Sequence, residues 1–365
     1  MKARIVIGSN YGDEGKGTVV ATYTKNSKNV LNVLTNGGAQ RGHSILTEHG
    51  STTFQHFGSG TYHGADSYYS RYFILNPMQF VQEYESLIVK PNRIFRDAYC
   101  LWTTPYDSMA NLISEQLKKR HASCCMGIWN TIKRTKDMGS RVTFDDFMKM
   151  TDDVARIKYL TGIKKYYERN LQIPEAWKSV WNGENMMFHF INDCRFMAGH
   201  TISCGTGCLF DYENVIFENG QGLLLCDTGK DTYDTTPSNT GIEYALNILN
   251  EIGTRPEDIT AHYVTRPYLT RHGDGNISGE SSRERISSTV NEDRTNEFNN
   301  FQGEFRYGSL DIPQLQERIF RDEQNAIGTP NFNMVLEITH CDEMDRIDEF
   351  KKYFTHINTY DSPMV

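Results

Sequence analysis

The chain has 365 residues, enough for one large domain or two fused ones around a sizeable core. Charged residues make up 23% and the formal net charge is −8, which argues against generic affinity for nucleic acid; an anionic substrate must be held by local positive charge. No stretch approaches a membrane span, and the first residues run straight into a β-branched strand instead of a signal peptide, so a cytoplasmic location is expected. The eight cysteines lack paired Cys-x-x-Cys spacing and read as reduced thiols. Cys204 and Cys208 could contribute to a metal site, but no second pair completes one.

In chain order, apolar runs at Ile5–Ile7, Val30–Leu34, Val215–Phe217, Ile259–Val264 and Met334–Ile338 predict buried strands. Helical patterns at Gly15–Tyr23, Asp107–Arg120, Ile242–Ile252 and Ile312–Asp322 fall between several of them. Buried strands alternating with helices predict an α/β fold, a mostly parallel central sheet with helices on both faces. Residues 144–200 read as a mainly helical excursion with a break at Pro174. Residues 270–308 are polar and punctuated by glycine, and Ser281–Asn300 is poor in large apolar side chains. That stretch is either a disordered surface loop or a mobile loop that orders over a bound substrate. No internal repeat is present, and a single domain over residues 1–365 is expected.

The most informative stretch is Ile5-Val6-Ile7-Gly8-Ser9-Asn10-Tyr11-Gly12-Asp13-Glu14-Gly15-Lys16-Gly17. A strand empties into a glycine-rich turn that opens a helix, so backbone N–H groups converge beside the positive end of the helix dipole. Polyphosphate binds well there, with Lys16 as a mobile point charge. The turn is P-loop-like but not an ordinary P-loop: six residues separate Gly8 from Gly15, and Gly17 stands where a Ser or Thr would ligate magnesium. Asp13 and Glu14 place carboxylates where phosphate should sit, which repels a nucleotide unless one of them binds Mg²⁺ or performs chemistry.

A second glycine-rich turn, Asn36-Gly37-Gly38-Ala39-Gln40-Arg41-Gly42-His43, follows the second strand and brings His43 beside the first. Ligands of such sheets gather at the carboxyl ends of the strands, where most of these motifs fall. The third piece is Glu218-Asn219-Gly220-Gln221-Gly222, then Thr235-Thr236-Pro237-Ser238-Asn239. Further motifs are Ser123-Cys124-Cys125-Met126-Gly127-Ile128, Thr270-Arg271-His272-Gly273, Gln302-Gly303-Glu304-Phe305-Arg306 and Thr339-His340-Cys341-Asp342.

Gly12 to Gly17, with these later motifs, resembles the signature of adenylosuccinate synthetase, the family that joins aspartate to C6 of a purine nucleotide. The resemblance implies a ligase with Asp13 as general base, His43 as the acid that stabilises the transferring phosphoryl group, and Lys16 beside them. It implies Mg²⁺ held by Asp13 and the Gly42 carbonyl. The donor triphosphate is expected on Gly12, Glu14, Gly15, Gly17 and Thr18, with Arg306 alongside. Its base is expected between Thr339, His340 and Asp342 on one side and Thr359 and Tyr360 on the other. For the purine monophosphate the resemblance implies Asn10, Asp13, Gln40 and Arg41, then Ser123 and Cys124, Gln221 on the base or the phosphate, Leu225, Thr236 on the 5′-phosphate, and His272 and Gly273 beside the sugar. Aspartate is expected on Gln302, Gly303, Glu304 and Arg306. Arg134 is the nearest candidate for the arginine that the family sends to the partner subunit's substrate phosphate in a homodimer; the other reading is an exposed basic helix around Lys133-Arg134.

Three departures bear on the substrate. Glu304 replaces an arginine that in the family reaches the ribose 2′-hydroxyl and the incoming aspartate, His272 replaces a valine beside the sugar, and His340 replaces the lysine that stacks on guanine. These resemble the bacteriophage branch, which makes 2-aminoadenine nucleotides from dGMP with ATP or dATP. Retention of Asp13 points the other way, since some phage enzymes replace it. The expected substrates are therefore dGMP, L-aspartate and ATP or dATP. IMP with GTP is the alternative, and a non-catalytic nucleotide sensor a second one.

Overall fold

The computed structural model describes residues 1–362 apart from 49, 119–122, 140, 184, 227–234, 254–255 and 291–302. Its centre is a nine-stranded, all-parallel sheet. In chain order the strands are β1 (Lys2–Gly8), β2 (Val30–Leu34), β3 (Asp66–Tyr69), β4 (Ile94–Asp97), β5 (Ile202–Cys204), β6 (Asn214–Gly222), β7 (Asp258–Thr265), β8 (Phe332–Ile338) and β9 (Ile357–Thr359). In space they run β9-β8-β7-β1-β6-β2-β3-β4-β5. β1 therefore lies in the middle, paired with β6 on one side and β7 on the other.

Side-chain alternation decides which face each residue covers. Ile5, Ile7, Leu31, Val33 and Phe217 pack on one face beneath the helices Glu243–Glu251 and Ile312–Glu323. Val6, Ile216 and Val264 point the other way, onto Val19 and Val20 of α1 (Lys16–Lys25), the helix that follows the glycine turn. Each such side chain, fully buried, contributes about 1.5–3 kcal/mol. Both faces are covered, as the continuous apolar strands require.

The stretch 144–200 contains the helices Phe144–Met148, Asp153–Asn170, Glu175–Trp181 and Met186–His200, with Pro174 at the cap of the third. They pack with helix Pro105–Lys118 around Trp102, Tyr106, Phe147 and Phe190. Four of the nine strands escape the sequence pattern. β3 begins with Asp66 and Ser67, which read as polar. Inside the fold the Asp66 carboxylate accepts from the Arg93 backbone N–H at 2.9 Å and the Tyr212 hydroxyl at 2.6 Å, so the strand is buried with its charge satisfied. The expected loop 270–308 is also partly sheet: Leu269–His272, Glu280–Ser281 and Phe305–Gly308 form a small antiparallel sheet.

Candidate active site

The glycine turn folds back on itself. Gly12 and Gly15 take φ of +110° and +90°, which side chains other than glycine adopt only with strain. This lets Glu14 turn inward, its Oε1 accepting the backbone N–H groups of Asn10 at 3.0 Å and Gly12 at 2.8 Å. Lys16 is buried, donates to the Gly12 carbonyl at 2.7 Å and lies 3.8 Å from Glu14 Oε2. Burial lowers the Lys16 pKa and raises that of Glu14, and the opposite charge of each works against the shift in the other. Asp13 is placed differently. Its side chain is 23% exposed and 3.8 Å from His272 Nδ1, while its backbone carbonyl is held by Arg266 Nε at 2.9 Å.

The turn's position is fixed by three other strand ends. A Cβ on Gly12 would stand 3.0 Å from the Gln221 backbone, so the turn lies directly on the end of β6, where Gln221 takes a φ of +68°. The Asn10 carbonyl accepts the Leu224 N–H at 2.9 Å, and the Asn10 amide donates to Thr265 Oγ1 at the end of β7 at 3.0 Å. Thr339, just past β8, donates its hydroxyl to the Glu14 carbonyl at 2.7 Å. The carboxyl ends of adjacent strands thus converge on one turn.

His43 is buried and its Nδ1 lies 2.5 Å from Glu218 Oε1. Glu218 also accepts the Ser59 N–H at 3.0 Å and the Ser59 hydroxyl at 2.7 Å, with Arg41 at 3.7 Å. Burial alone would raise the Glu218 carboxyl, but the Arg41 charge and the His43 bond override it and hold it at about 2. Burial pushes the His43 imidazole down to about 4, against the pull of Glu218. Because Glu218 is anionic and can only accept, Nδ1 carries the hydrogen and Nε2 is the ring nitrogen not engaged with the carboxylate.

The family model described as Adenylosuccinate synthetase matches residues 5–353. This chain belongs to the adenylosuccinate synthetase family. That family comprises C–N ligases. The adenylosuccinate synthetase of Koribacter versatilis is 25% identical over 96% of this chain and 78% of its own length. The chain spans less than two thirds of the length of several other curated relatives it matches. Among solved structures, fully ligated adenylosuccinate synthetase from Plasmodium falciparum aligns with a TM-score of 0.69 at 18% identity, covering 95% of this chain and 78% of that one. Cyanophage S-2L succinoaminodeoxyadenylate synthetase (PurZ), bound to dGMP and dATP as an energy donor, aligns with a TM-score of 0.63 at 12% identity, covering 99% and 93%. At such identities the two structures speak for the fold.

Several residues that resemblance to adenylosuccinate synthetase selects lie at this cluster. Gly17 packs on the strand that carries His43, where a Cβ would stand 2.6 Å from the Ser44 carbonyl, and Thr18 donates its backbone N–H to Gly15 at 3.1 Å. Gly42 is exposed. Gln40 is notable because both polar atoms of its side-chain amide are buried with no hydrogen-bond partner. Leaving a buried polar group unmade costs about 1–3 kcal/mol, so a partner from a ligand is the economical explanation. Thr236 and Leu225 meet through an N–H···O bond of 2.8 Å. Ser123 and Cys124 precede the helix Ile128–Asp137, whose Ile128 packs against Gly38 of the second glycine turn, a Cβ there standing 2.6 Å from Ile128 Cδ1.

Other side chains are engaged elsewhere. The Arg41 guanidinium points into the core, donating to the Glu218 and Phe57 carbonyls at 3.1 and 3.3 Å, so it supports the His43 pair instead of reaching a substrate. Arg134 is buried, with Nε 2.8 Å from Asp107 Oδ1; it neither projects from the subunit nor lies on an exposed basic face. Its partner Asp107 is 27 residues earlier in sequence, which no local pattern reveals. Arg306 donates to the Gly273 and Gly275 carbonyls at 2.6 Å and pairs with Glu280 at 3.0 Å. Gly303 is buried with φ +71°, Glu304 is exposed, and Gln302 lies outside the described residues.

On the other side of the turn, His340 takes a φ of +58° and its Nδ1 lies 3.0 Å from the Thr339 hydroxyl. Asp342 accepts from the Ser362 N–H at 2.6 Å and hydroxyl at 2.7 Å. Thr359 ends β9 exposed, and the Tyr360 hydroxyl turns inward to Glu337 at 2.9 Å. Sequence reasoning assigned no role to Glu218, Arg266 or Arg318. Arg318 reaches from helix Ile312–Glu323 to Asn10 Oδ1 at 2.6 Å. A glutamate directly after the apolar run Val215–Phe217 was the available signal for Glu218, since a charge on a central strand must be paired.

Proposed function

We propose that this chain joins L-aspartate to C6 of a purine nucleotide through a 6-phosphoryl intermediate, with dGMP as acceptor and ATP or dATP as donor. The observation that carries the reading is the meeting, on one glycine turn, of Asp13, Lys16 and the strand ends bearing Gln221 and Thr339, with the His43–Glu218 pair following the neighbouring β2. Asp13, the partly exposed carboxylate, takes the N1 proton. The O6 anion attacks the γ-phosphorus and the bond to the departing diphosphate breaks, while Lys16 and His43, protonated at Nε2 against the Glu218 carboxylate once the phosphates are bound, spread the charge. The aspartate amine then bonds to C6, the C6–O bond breaks, and phosphate leaves as the nitrogen gives up a proton to it or to water. Activation is needed because an unmodified C6 oxygen is a very poor leaving group.

The residues present fit Mg²⁺. Asp13 offers a hard oxygen, Gly42 is an exposed residue with a backbone carbonyl to offer, and Glu14 Oε2 is a buried carboxylate oxygen with no hydrogen-bond partner. Asp13 and Gly42 would hold the ion, which supplies charge neutralisation between donor phosphates. Among the described residues no helix is long and apolar enough to cross a membrane, and all eight cysteines are free of disulfides. A homodimer, as in the family, is part of this reading.

The deoxyribonucleotide preference rests on His272 beside Asp13 and on Glu304 being exposed where the family carries an arginine. IMP with GTP is the competing pair, favoured by the retained Asp13. A matrix of IMP, GMP, dIMP and dGMP against ATP, dATP and GTP, read as aspartate-dependent phosphate release, separates them. The expected result is that dGMP exceeds GMP by roughly tenfold to a hundredfold in kcat/KM, the cost of a buried hydroxyl without a partner. A best rate with IMP and GTP would identify an ordinary adenylosuccinate synthetase. No phosphate release dependent on aspartate and a purine monophosphate, with any pair, would leave only a nucleotide sensor.

A further inference from the structure

Glu337 is a fully buried carboxylate away from the reacting groups. It stands on β8 opposite Val264 of β7, on the face covered by α1. Oε1 receives His262 Nδ1 at 2.6 Å, the Tyr23 hydroxyl at 2.9 Å and the Asn358 amide at 3.2 Å, and Oε2 receives the Tyr360 hydroxyl at 2.9 Å. Asn358 also donates to the Tyr23 hydroxyl at 3.2 Å. Burial alone would raise the carboxyl pKa, but these bonds, His262 first, hold it below its ordinary value.

The donors come from separate parts of the chain. Tyr23 belongs to α1, the helix opened by the glycine turn; His262 belongs to β7; Asn358 and Tyr360 belong to the last strand and the residue after it. Tyr360 is further threaded between Ile338 and Cys341, donating its N–H to the Ile338 carbonyl at 2.8 Å and accepting from the Cys341 N–H at 3.1 Å. The carboxylate therefore ties the phosphate-binding helix to the two segments, 339–342 and 358–362, that flank the donor's base under the proposed function.

We infer that Glu337 is a positioning residue whose carboxylate fixes Ile357–Tyr360 against α1 and so sets the spacing between the phosphate-binding and base-binding ends of the nucleoside triphosphate site. The inference rests on the proposed function for what those segments hold. A glutamine at this place brings N–H donors into a shell made of donors, so at least one of the tyrosine, histidine or asparagine partners loses its acceptor.

The test compares wild type with Glu337→Gln and the milder Tyr360→Phe, using hydrogen exchange over 357–361 and equilibrium binding of Mg-ATP, Mg-GTP, dGMP and IMP, none of which needs turnover. In Glu337→Gln, exchange at 357–361 is expected to quicken at least tenfold. The Kd of the triphosphate that wild type binds better should rise roughly fivefold to fiftyfold, with monophosphate Kd within twofold. Tyr360→Phe, which keeps three of the four donors, should move both readouts in the same direction by less, and it carries the test if Glu337→Gln does not fold. Unchanged exchange, unchanged triphosphate affinity, or equal weakening of monophosphate and triphosphate would each overturn the inference. Absence of aspartate-dependent phosphate release in wild type would instead count against the proposed reaction, and the binding and exchange results would still stand.

Discussion

His43 is oriented before any substrate arrives, because its Nδ1 is committed to a carboxylate that Ser59 and Arg41 hold in place. Asp13 has no such restraint on its carboxylate, which remains partly exposed beside His272. Replacing the two should therefore give different signatures. Asp13→Ala should cut turnover by about 10²–10⁴-fold with the fold intact, since a general base is lost from a surface already open to solvent. Glu218→Gln keeps the shape but withdraws the negative charge, so the imidazolium is harder to form and turnover should fall by about 10²-fold, with the optimum displaced to lower pH. Steady-state rates across pH, together with circular dichroism, check both. A folded Asp13→Ala protein with near-normal rates would exclude the proposed mechanism.

At the scale of an element, the small antiparallel sheet explains how a polar, glycine-rich stretch acquires a defined shape. Arg271 pairs in register with Arg306, and the Arg306 guanidinium closes the Gly273–Gly275 turn while meeting Glu280. The residue expected to hold aspartate's carboxylate is thus also the residue that shapes the turn expected beside the sugar. Arg306→Ala should raise the KM for aspartate tenfold or more, given ~1.4 kcal/mol per decade. It should also speed hydrogen exchange across 273–280. An unchanged aspartate KM with faster exchange would leave Arg306 a purely structural clamp.

Across the whole molecule, buried histidines make the fold sensitive to acid. His56 is fully buried, accepts the Asn76 N–H at Nε2 at 3.0 Å and lies 3.0 Å from the Tyr69 hydroxyl at Nδ1. Burial pushes its pKa down to about 3, and that of His43 down to about 4. A base whose folded pKa lies below its unfolded value of ~6.5 binds a proton more readily when unfolded, so stability present above that pH is lost as pH falls. At pH 5 the loss from His56 is about 2 kcal/mol. Urea titrations at pH 7 and pH 5 should show wild type losing that much more than His56→Gln; equal losses would mean that the imidazole is not held neutral.

The glycine turn, the alternation of apolar strands with helices and the second turn bearing His43 were legible in the chain because each is a local pattern set by backbone geometry and side-chain period. The helices at Ile242–Ile252 and Ile312–Asp322 fall within a residue of those observed, Glu243–Glu251 and Ile312–Glu323, since amphipathic spacing marks a buried face directly. Strands β3, β4, β5 and β9 were not legible, being short and containing polar residues whose partners are distant, as Asp66 is paired with Arg93 and Tyr212. The destinations of the arginines were decided only by tertiary structure. Arg41, Arg134 and Arg306 look alike as free cations in a sequence, yet one braces Glu218, one is sealed onto Asp107 and one closes a turn. A guanidinium's long reach and five donors let it satisfy whichever acceptors the fold brings near, and which acceptors those are is settled by contacts that local sequence does not contain. Sequence by itself thus determined the α/β architecture and the location of the glycine turn, while the pairing that orients His43 and the hub at Glu337 arose only when distant strands came side by side.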